Sequence, residues 1–362
     1  MSLSRRHLLA LSAASLASWR ALAQDAPLPE IASVPAALKG SGEVRVVGYG
    51  GTMQTAQRKA YNDPFEQLTG IKVRDFAGAD LNKVKAMVDT GNVEWDVVQL
   101  SRGSVKNLLK RGDYFEKIDY ELVDVANIDP AYRFEYALDM LVWAEVLGYR
   151  TDAFKGAVPV GWKDFWDLKK FPGDRSLIGA GGSSNPELEF AVMAAGVSPD
   201  KVYPIDVDKA FAALDTIKPS IVKWWETGAV PVQMLTDKEV VMTSVWNGRM
   251  AALQAAGVPA AISWPQGLLK RDAWAVPKNS PNKANAMKYI AFTTMAAPMA
   301  RLASLIPYGS VNDKSNALIA PAQLAKLPSA PGIKEKLVPY DYEWWAANRD
   351  AVLDRWNKWV LA

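Results

Sequence analysis

The chain has 362 residues, of which 49% are hydrophobic and 22% charged, a composition typical of a soluble globular protein of about two domains. The net charge is +3, but Arg5, Arg6 and Arg20 lie in the first 23 residues, which hold no acid, so the remainder is neutral. A neutral chain gives no electrostatic reason to expect nucleic acid or an anionic membrane as partner. There is no Cys, and the single His is His7. These absences exclude Ser-His and Cys-His catalysis and the usual zinc, copper and haem ligand sets after residue 23.

The first 23 residues have the pattern of an export signal. Arg5-Arg6 is followed by an apolar stretch to Ser18, and Ala21-Leu22-Ala23 forms a small-x-small cleavage pattern before Gln24. The arginine pair resembles a twin-arginine signal, and an ordinary secretory leader with two arginines is the alternative. The apolar run is too short to span a bilayer. We therefore expect a mature protein that is free in a bacterial periplasm, without membrane insertion.

After a linker at 24–41, strands and helices alternate. The predicted strands are 43–48, 71–76 and 95–100, and the predicted helices between them are 53–69 and 80–90. This β-α-β-α-β order with short loops predicts a parallel sheet flanked by helices. Ligands bind at the carboxyl ends of such strands, here 49–52 and 101–104.

A second block of the same α/β kind follows. Its predicted strands are 137–149, 176–178, 240–245 and 272–277, and its predicted helices begin near 162 and cover 187–195, 206–217 and 285–294. No internal repeat is present.

Tryptophan near predicted strand ends is the most distinctive feature of the sequence. The tryptophans beside Gly, Asn, Arg or Pro at such positions are Trp143, Trp224, Trp225, Trp246, Trp264 and Trp274. An indole face can enclose a methylene chain or attract a cation. The alternative is core packing, which is favoured for Trp344, Trp345, Trp356 and Trp359 on C-terminal helices. No P-loop, helix-opening Gly-x-Gly-x-x-Gly or Gly-x-Ser-x-Gly motif is present, so no catalytic constellation is predicted.

Several segments from about residue 43 to the C-terminus together carry a family resemblance. They are Tyr49, Phe65–Val73, Trp95–Ser101, the stretch around Trp143, Trp246-Asn247-Gly248, Asp272–Lys278 and Tyr308–Asn312. In their joint order and spacing they resemble the extracellular solute-binding proteins of ABC importers, in the group that binds polyamines or 4-aminobutyrate (GABA).

The resemblance implies an α/β, two-lobed periplasmic-binding-protein fold of the type II kind. Lobe 1 would comprise 42–143 and 268–362, including the C-terminal helices, and lobe 2 would comprise 144–267. Crossing strands near 141–150 and 262–274 would act as the hinge, and closure would trap a small-molecule solute. The resemblance also implies a monomer that delivers its solute to the permease subunits of an ABC importer, with no catalysis, cofactor or metal.

Ligand-binding positions follow from the same resemblance. Polyamine-binding relatives hold an ammonium with the acid that matches Asp272, beside a Ser that matches Ser101. The expected ligand-binding residues are Tyr49, Gly50, Ser101, Trp143, Ser184, Trp225, Trp246, Asn247, Arg249, Asp272 and Tyr308.

The sequence departs from the polyamine-binding pattern at several of these loops. Residues 181–186 hold no acid before Glu187 for a distal amine, and Lys270 stands where a stacking tryptophan is expected. Thr52 and Gly103 replace two tyrosines. The site thus has fewer aromatic side chains and one matched anion.

Arg249 directly follows the Trp-Asn-Gly motif, as in the GABA-binding relatives, where it accompanies an acid that matches Asp272. A guanidinium fork suits a carboxylate. We therefore expect an ω-amino acid such as GABA, with Arg249 at its carboxylate and Asp272 at its ammonium. Trp246, Trp225 and Tyr49 would enclose its methylenes.

Three alternatives stay open. In a putrescine- or spermidine-binding protein, Arg249 and Asp272 would form an internal salt bridge, and Glu187 or Glu145 would serve the second amine. In a sugar-binding protein, Asp272 would bind hydroxyl groups. A carboxylate-dependent periplasmic enzyme needs two acids a few ångströms apart, and the sequence offers one good candidate.

Overall fold

A computed structural model describes residues 27–180 and 185–362. The predicted leader, its cleavage site and Ser184 lie outside the described residues. None of the described helices combines the length and the apolar character that crossing a bilayer requires.

Strands and helices alternate along the described chain, with numbering in chain order. The elements up to residue 150 are β1 (Glu43–Gly48), α1 (Gly51–Gln57), a π-helical stretch (Arg58–Asn62), α2 (Asp63–Thr69), β2 (Lys72–Ala77), α3 (Leu81–Thr90), β3 (Val97–Ser101), α4 (Arg102–Leu109), β4 (Arg133–Phe134) and β5 (Ala137–Arg150). Next come α5 (Trp162–Trp166), β6 (Arg175–Ile178), α6 (Leu188–Ala194), α7 (Val207–Ile217), β7 (Ile221–Trp225), α8 (Ala229–Thr236), β8 (Met242–Trp246), α9 (Asn247–Ala255) and β9 (Ala260–Ala275). The last are α10 (Lys283–Thr293), α11 (Ala296–Leu305), α12 (Pro321–Leu324), β10 (Val338–Pro339) and α13 (Tyr342–Leu361).

Local sequence signals account for several element boundaries. Asp80 caps α3 by accepting a hydrogen bond from the Lys83 amide at 2.8 Å, and Gly91 ends that helix in the left-handed region. Asp206 caps α7 in the same way through the Lys209 amide. These signals confirm the predicted helices near 80–90 and 206–217.

The described chain divides into two compact units. The first unit comprises 27–142 and 271–330 of the described chain, and the second comprises 143–180, 185–270 and 331–362. Strands β5 and β9 each continue from one unit into the other.

In the first unit, β1 lies between β2 and β3, and both pairings are parallel. The C-terminal residues of β9 pair antiparallel with β3. Val47, Val98 and Leu100 of these strands pack against α3 and α4 through Val84 and Val105. The strand ends at Gly48 and Ser101 therefore meet at one edge of the sheet, as predicted for parallel strands.

In the second unit, β8 pairs antiparallel with β5 and parallel with β6, and β6 pairs parallel with β7. Helices α5, α6 and α7 bury an aromatic core that includes Trp162, Phe190 and Phe211. The indole of Trp162 stacks on the ring of Phe190 with centroids 3.6 Å apart.

The C-terminal helix α13 belongs to the second unit and not to lobe 1, where it was expected. Trp345, Val352 and Trp356 of α13 are buried in the core of the second unit. Trp224 of β7 contacts the rings of Trp356 and Trp359 edge-on at 5.0 and 5.4 Å. The aromatic stripe of this helix thus covers the second unit.

Candidate functional site

In the first unit, the predicted acid Asp272 lies in register opposite Ser101, at the end of β3. Its carboxylate is buried, and Oδ2 accepts a hydrogen bond from Gln99 Nε2 at 3.1 Å. Gln99 in turn accepts one from Gln57 Nε2 at 2.8 Å. Two buried amides thus fix the orientation of the carboxylate.

Ser101 is also the N-cap of α4, because its Oγ accepts a hydrogen bond from the Ser104 amide at 3.1 Å. The two hydroxyls of Ser101 and Ser104 lie 2.8 Å apart. The structure thus brings Ser101 and Asp272 together, as predicted, and gives Ser101 a structural role as well.

Tyr49 and Gly50 follow β1 in the loop before α1. The Tyr49 side chain is 48% exposed, and Gly50 has a φ of 88°. A Cβ on Gly50 would meet the Cβ of Ala77 at 3.0 Å, so this turn favours glycine. Tyr308 is half-buried. Its neighbour Gly309 forms an isolated antiparallel β-bridge with Val142.

In the second unit, three predicted tryptophans form a continuous row. The Trp246 ring lies 5.9 Å from that of Trp225 and 5.7 Å from that of Trp143, with edge-on geometry at both contacts. The indole Nε1 atoms of Trp225 and Trp246 are buried and have no acceptor among the described residues. Trp225 is fully buried, against the expectation that it encloses a solute, so the partly exposed rings of Trp143 and Trp246 supply the accessible apolar surface of this tryptophan row.

Asn247 and Arg249 extend the row into α9. Asn247 is buried, and its Oδ1 accepts a hydrogen bond from the Ala144 amide at 2.9 Å, which ties α9 to β5. Arg249 is exposed in the first turn of α9 and forms no ion pair with a described residue of its unit. An exposed guanidinium can bind a carboxylate bidentately.

Other tryptophans at strand ends are core residues. Trp224 packs against α13, and Trp274 is fully buried against the ring of Tyr289 in the first unit. Core packing, the alternative stated for each tryptophan, is therefore correct for these two.

Sequence reasoning did not place a buried charge cluster of the second unit among the site residues. The Lys270 ammonium lies 2.8 Å from Glu145 Oε2 and 2.6 Å from Glu187 Oε1. It also lies over two rings, 5.4 Å from the centroid of Trp143 and 4.9 Å from that of Tyr340. A usable signal was the apolar pair Leu268-Leu269 directly before Lys270 in the strand expected near 262–274, since a lysine buried there needs partners.

Burial and mutual interaction shift the protonation of this cluster. Burial raises the pKa of Glu187 well above its usual range, and the charge of Glu145 raises it further, against the opposing effect of Lys270. Burial opposes the charged form of Lys270, but the two glutamates raise its pKa well above the ordinary value. The cluster therefore favours the charged form of Lys270, and Glu187 is harder to deprotonate than an exposed glutamate.

Metal binding has no support in the described chain, since no group of three or more carboxylates there is arranged to hold an ion. The chemistry that the two units offer is recognition. The first unit presents an oriented carboxylate, which suits a cationic group, and the second presents an exposed guanidinium, which suits an anionic group.

Comparison with known proteins identifies the family and the relatives of this chain. A family model described as bacterial extracellular solute-binding protein matches residues 60–332. A gamma-aminobutyric acid-binding protein of Pseudomonas aeruginosa is 37% identical over 338 residues, which are 91% of this chain and 94% of that protein. Spermidine/putrescine-binding periplasmic proteins are more distant, and the one from Salmonella typhimurium is 24% identical over 72% of this chain and 76% of its own.

Solved structures agree with that relationship. An ABC transporter substrate-binding protein from Bradyrhizobium japonicum superposes with a TM-score of 0.82 and 35% identity, over 88% of this chain and 99% of its own. A GABA receptor superposes with a TM-score of 0.78 and 36% identity, over 88% and 97% of the two chains. The likeness thus covers both units and confirms the expected α/β class.

Proposed function

The chain belongs to the family of bacterial extracellular solute-binding proteins and is the substrate-binding protein of an ABC transporter, and we propose that its solute is an ω-amino acid such as GABA. In this proposal, Arg249 binds the carboxylate of the solute and Asp272 binds its ammonium. Trp143 and Trp246 of the tryptophan row contact the methylenes, and the buried Trp225 supports Trp246 by packing against its ring.

The observations that carry this proposal are an exposed guanidinium in the second unit and an oriented acid in the first. Arg249 is exposed in the first turn of α9, three residues after Trp246, and its guanidinium can bind a carboxylate bidentately. Asp272 is buried, and the hydrogen bond from Gln99 orients its carboxylate. The 37% identity to a GABA-binding protein supports the same ligand class.

Mechanistically, we propose capture without chemical change. Tyr49, Gly50, Ser101 and Tyr308 would complete the contacts of the first unit, and Ser184 and Asn247 those of the second. Hinge closure, location in the periplasm, a monomeric state and docking on the permease subunits stay predictions of the same proposal.

Calorimetric titration of the chain from Gln24 onward, after unfolding and refolding to remove carried-over ligand, tests the solute. We expect GABA to bind and putrescine to give no signal. Arg249→Ala should weaken GABA binding roughly 10- to 150-fold, the cost of about 1.5–3 kcal/mol for lost charge-assisted hydrogen bonds.

Arg111→Ala is the matched control, because Arg111 is also exposed but belongs to the first unit after α4. It should leave affinity unchanged. Unchanged GABA affinity in Arg249→Ala would reject the carboxylate assignment. Putrescine binding without GABA binding would favour the polyamine alternative.

A further inference from the structure

The Lys270 cluster of the second unit has the composition of a binding pocket for an organic cation. Two carboxylates lie within 2.8 Å of the ammonium, and the faces of Trp143 and Tyr340 lie within 5.4 Å of it. Carboxylates and aromatic faces around a desolvated ammonium are the general means of binding alkylammonium ions. Here the cation is supplied by the chain itself.

The cluster is buried, which distinguishes it from a surface ion pair. The side chains of Lys270, Glu145 and Glu187 are 12%, 0% and 3% exposed. Glu145 Oε1 and Glu187 Oε2 have no hydrogen-bond partner among the described residues. The glutamates therefore retain unused acceptor capacity beyond the two contacts with Lys270.

We propose that Lys270 is a built-in occupant of an alkylammonium pocket formed by Glu145, Glu187, Trp143 and Tyr340, and that it keeps a second ammonium of a solute out. Trp143 links this pocket to the tryptophan row, since its ring contacts both the Lys270 ammonium and Trp246. The proposal rests on the proposed function and deepens it. With its second cation position already filled, the protein accepts solutes with one ammonium and rejects diamines.

Chemical rescue tests the pocket. Lys270→Ala removes the atoms that n-propylammonium can replace, and it leaves two buried carboxylates without their cation. We expect its Tm to fall by roughly 10 °C. Millimolar n-propylammonium should restore much of that loss, whereas 1-propanol, which has nearly the same shape without charge, should not.

Two control variants isolate the effect. Lys270→Met keeps the pocket filled without the charge, so n-propylammonium should find no room in it. Lys83 lies 3.1 Å from Glu94 and over the Trp95 ring at 4.4 Å, but this pair is 48% and 53% exposed. Lys83→Ala therefore removes a similar contact that is open to water, so n-propylammonium should not raise the Tm of this variant.

The proposed pocket is overturned if n-propylammonium does not restore the Tm of folded Lys270→Ala, or if it restores the Tm of Lys83→Ala equally. If Lys270→Ala does not fold, the double variant Lys270→Ala/Glu187→Gln leaves a single buried carboxylate and takes the same titration. Rescue is read from Tm without any amino acid present, so it stands apart from the proposed function, which the GABA titration of the unaltered protein decides.

Diamine binding tests the selectivity. We expect the unaltered protein to give no calorimetric signal with putrescine (1,4-diaminobutane). The affinity of Lys270→Ala for putrescine should be at least tenfold higher than that of the unaltered protein. No gain in a variant that n-propylammonium does rescue overturns the role of Lys270 in selecting the solute.

Discussion

Gly228→Ala is expected to weaken solute binding through the tryptophan row. A Cβ at Gly228 would lie 2.5 Å from both Cε3 and Cζ3 of Trp246. Ordinary carbon contacts are about 3.5–4.0 Å, so the ring must retreat by about 1 Å. The φ of Gly228 is −64°, which alanine adopts freely, so the effect is purely steric.

The cost divides between stability and affinity. Overpacking of this kind costs about 1–3 kcal/mol of stability, or a fall in Tm of roughly 2–12 °C. A burial of about 0.8 kcal/mol per methylene makes the lost contact with two solute methylenes worth about 1.6 kcal/mol, or roughly 15-fold in affinity. Thermal unfolding and calorimetric titration of the same preparation measure both.

Gly40→Ala is the control, since its Cβ would be crowded by Ile71 Cδ1 and Lys288 Nζ, both at 3.1 Å, in the first unit and not by a ring of the tryptophan row. It should leave affinity unchanged. A fall in Tm for Gly228→Ala with unchanged affinity would refute contact between Trp246 and the solute. No change in either quantity would refute the steric argument itself.

Two further predictions concern buried acids. The raised pKa of Glu187 means that the folded state keeps a proton that the unfolded state has lost above a pH of about 4.5, so this group lowers stability as pH rises. The Tm of Glu187→Gln should therefore rise relative to the Tm of the unaltered protein between pH 5 and pH 7. A difference between the two Tm values that stays constant over this range would contradict the prediction. Asp139 is fully buried and accepts two hydrogen bonds from Arg102, at 2.8 and 2.6 Å. Asp139→Asn should cost about 3–5 kcal/mol in urea unfolding because it leaves Arg102 buried without its carboxylate, and a loss below about 1 kcal/mol would contradict this.

Strands and capped helices were the part of the fold that sequence could predict. The predicted strand 43–48 is β1 residue for residue, and the predicted helix 53–69 is present as α1, a π-helical stretch and α2. Alternating apolar residues and glycine stops are local signals, so they can be read without knowledge of tertiary contacts.

Helices α4 and α9 were missed because their first residues are not typical of helices. Arg102 begins α4 and is buried, which its pairing with Asp139 explains, but that partner lies 37 residues away. Gly248 and Arg249 in the first turn of α9 favoured a loop. Long-range pairing overrode local propensity in the first case, and the hydrogen bond that Asn247 accepts from the distant Ala144 amide did so in the second.

Within the candidate site, the register of Ser101 with Asp272 and the row of Trp143, Trp225 and Trp246 agree with the grouping expected from the sequence. The ligand roles of these residues stay predictions. The Lys270 cluster needed the structure, because Glu145, Glu187 and Lys270 are separated by up to 125 residues. No local pattern indicates which distant acids will neutralise a buried lysine.

The position of α13 has a consequence for biosynthesis. The first unit is complete once residue 330 has been made, whereas the second gains Trp345, Val352 and Trp356 only from the final stretch of the chain. A nascent or proteolytically clipped chain that lacks this stretch leaves the facing aromatic side chains of the second unit open to water. Such a chain is a target for chaperones and proteases, so cells that clip this helix should lose the protein altogether rather than accumulate a shortened form.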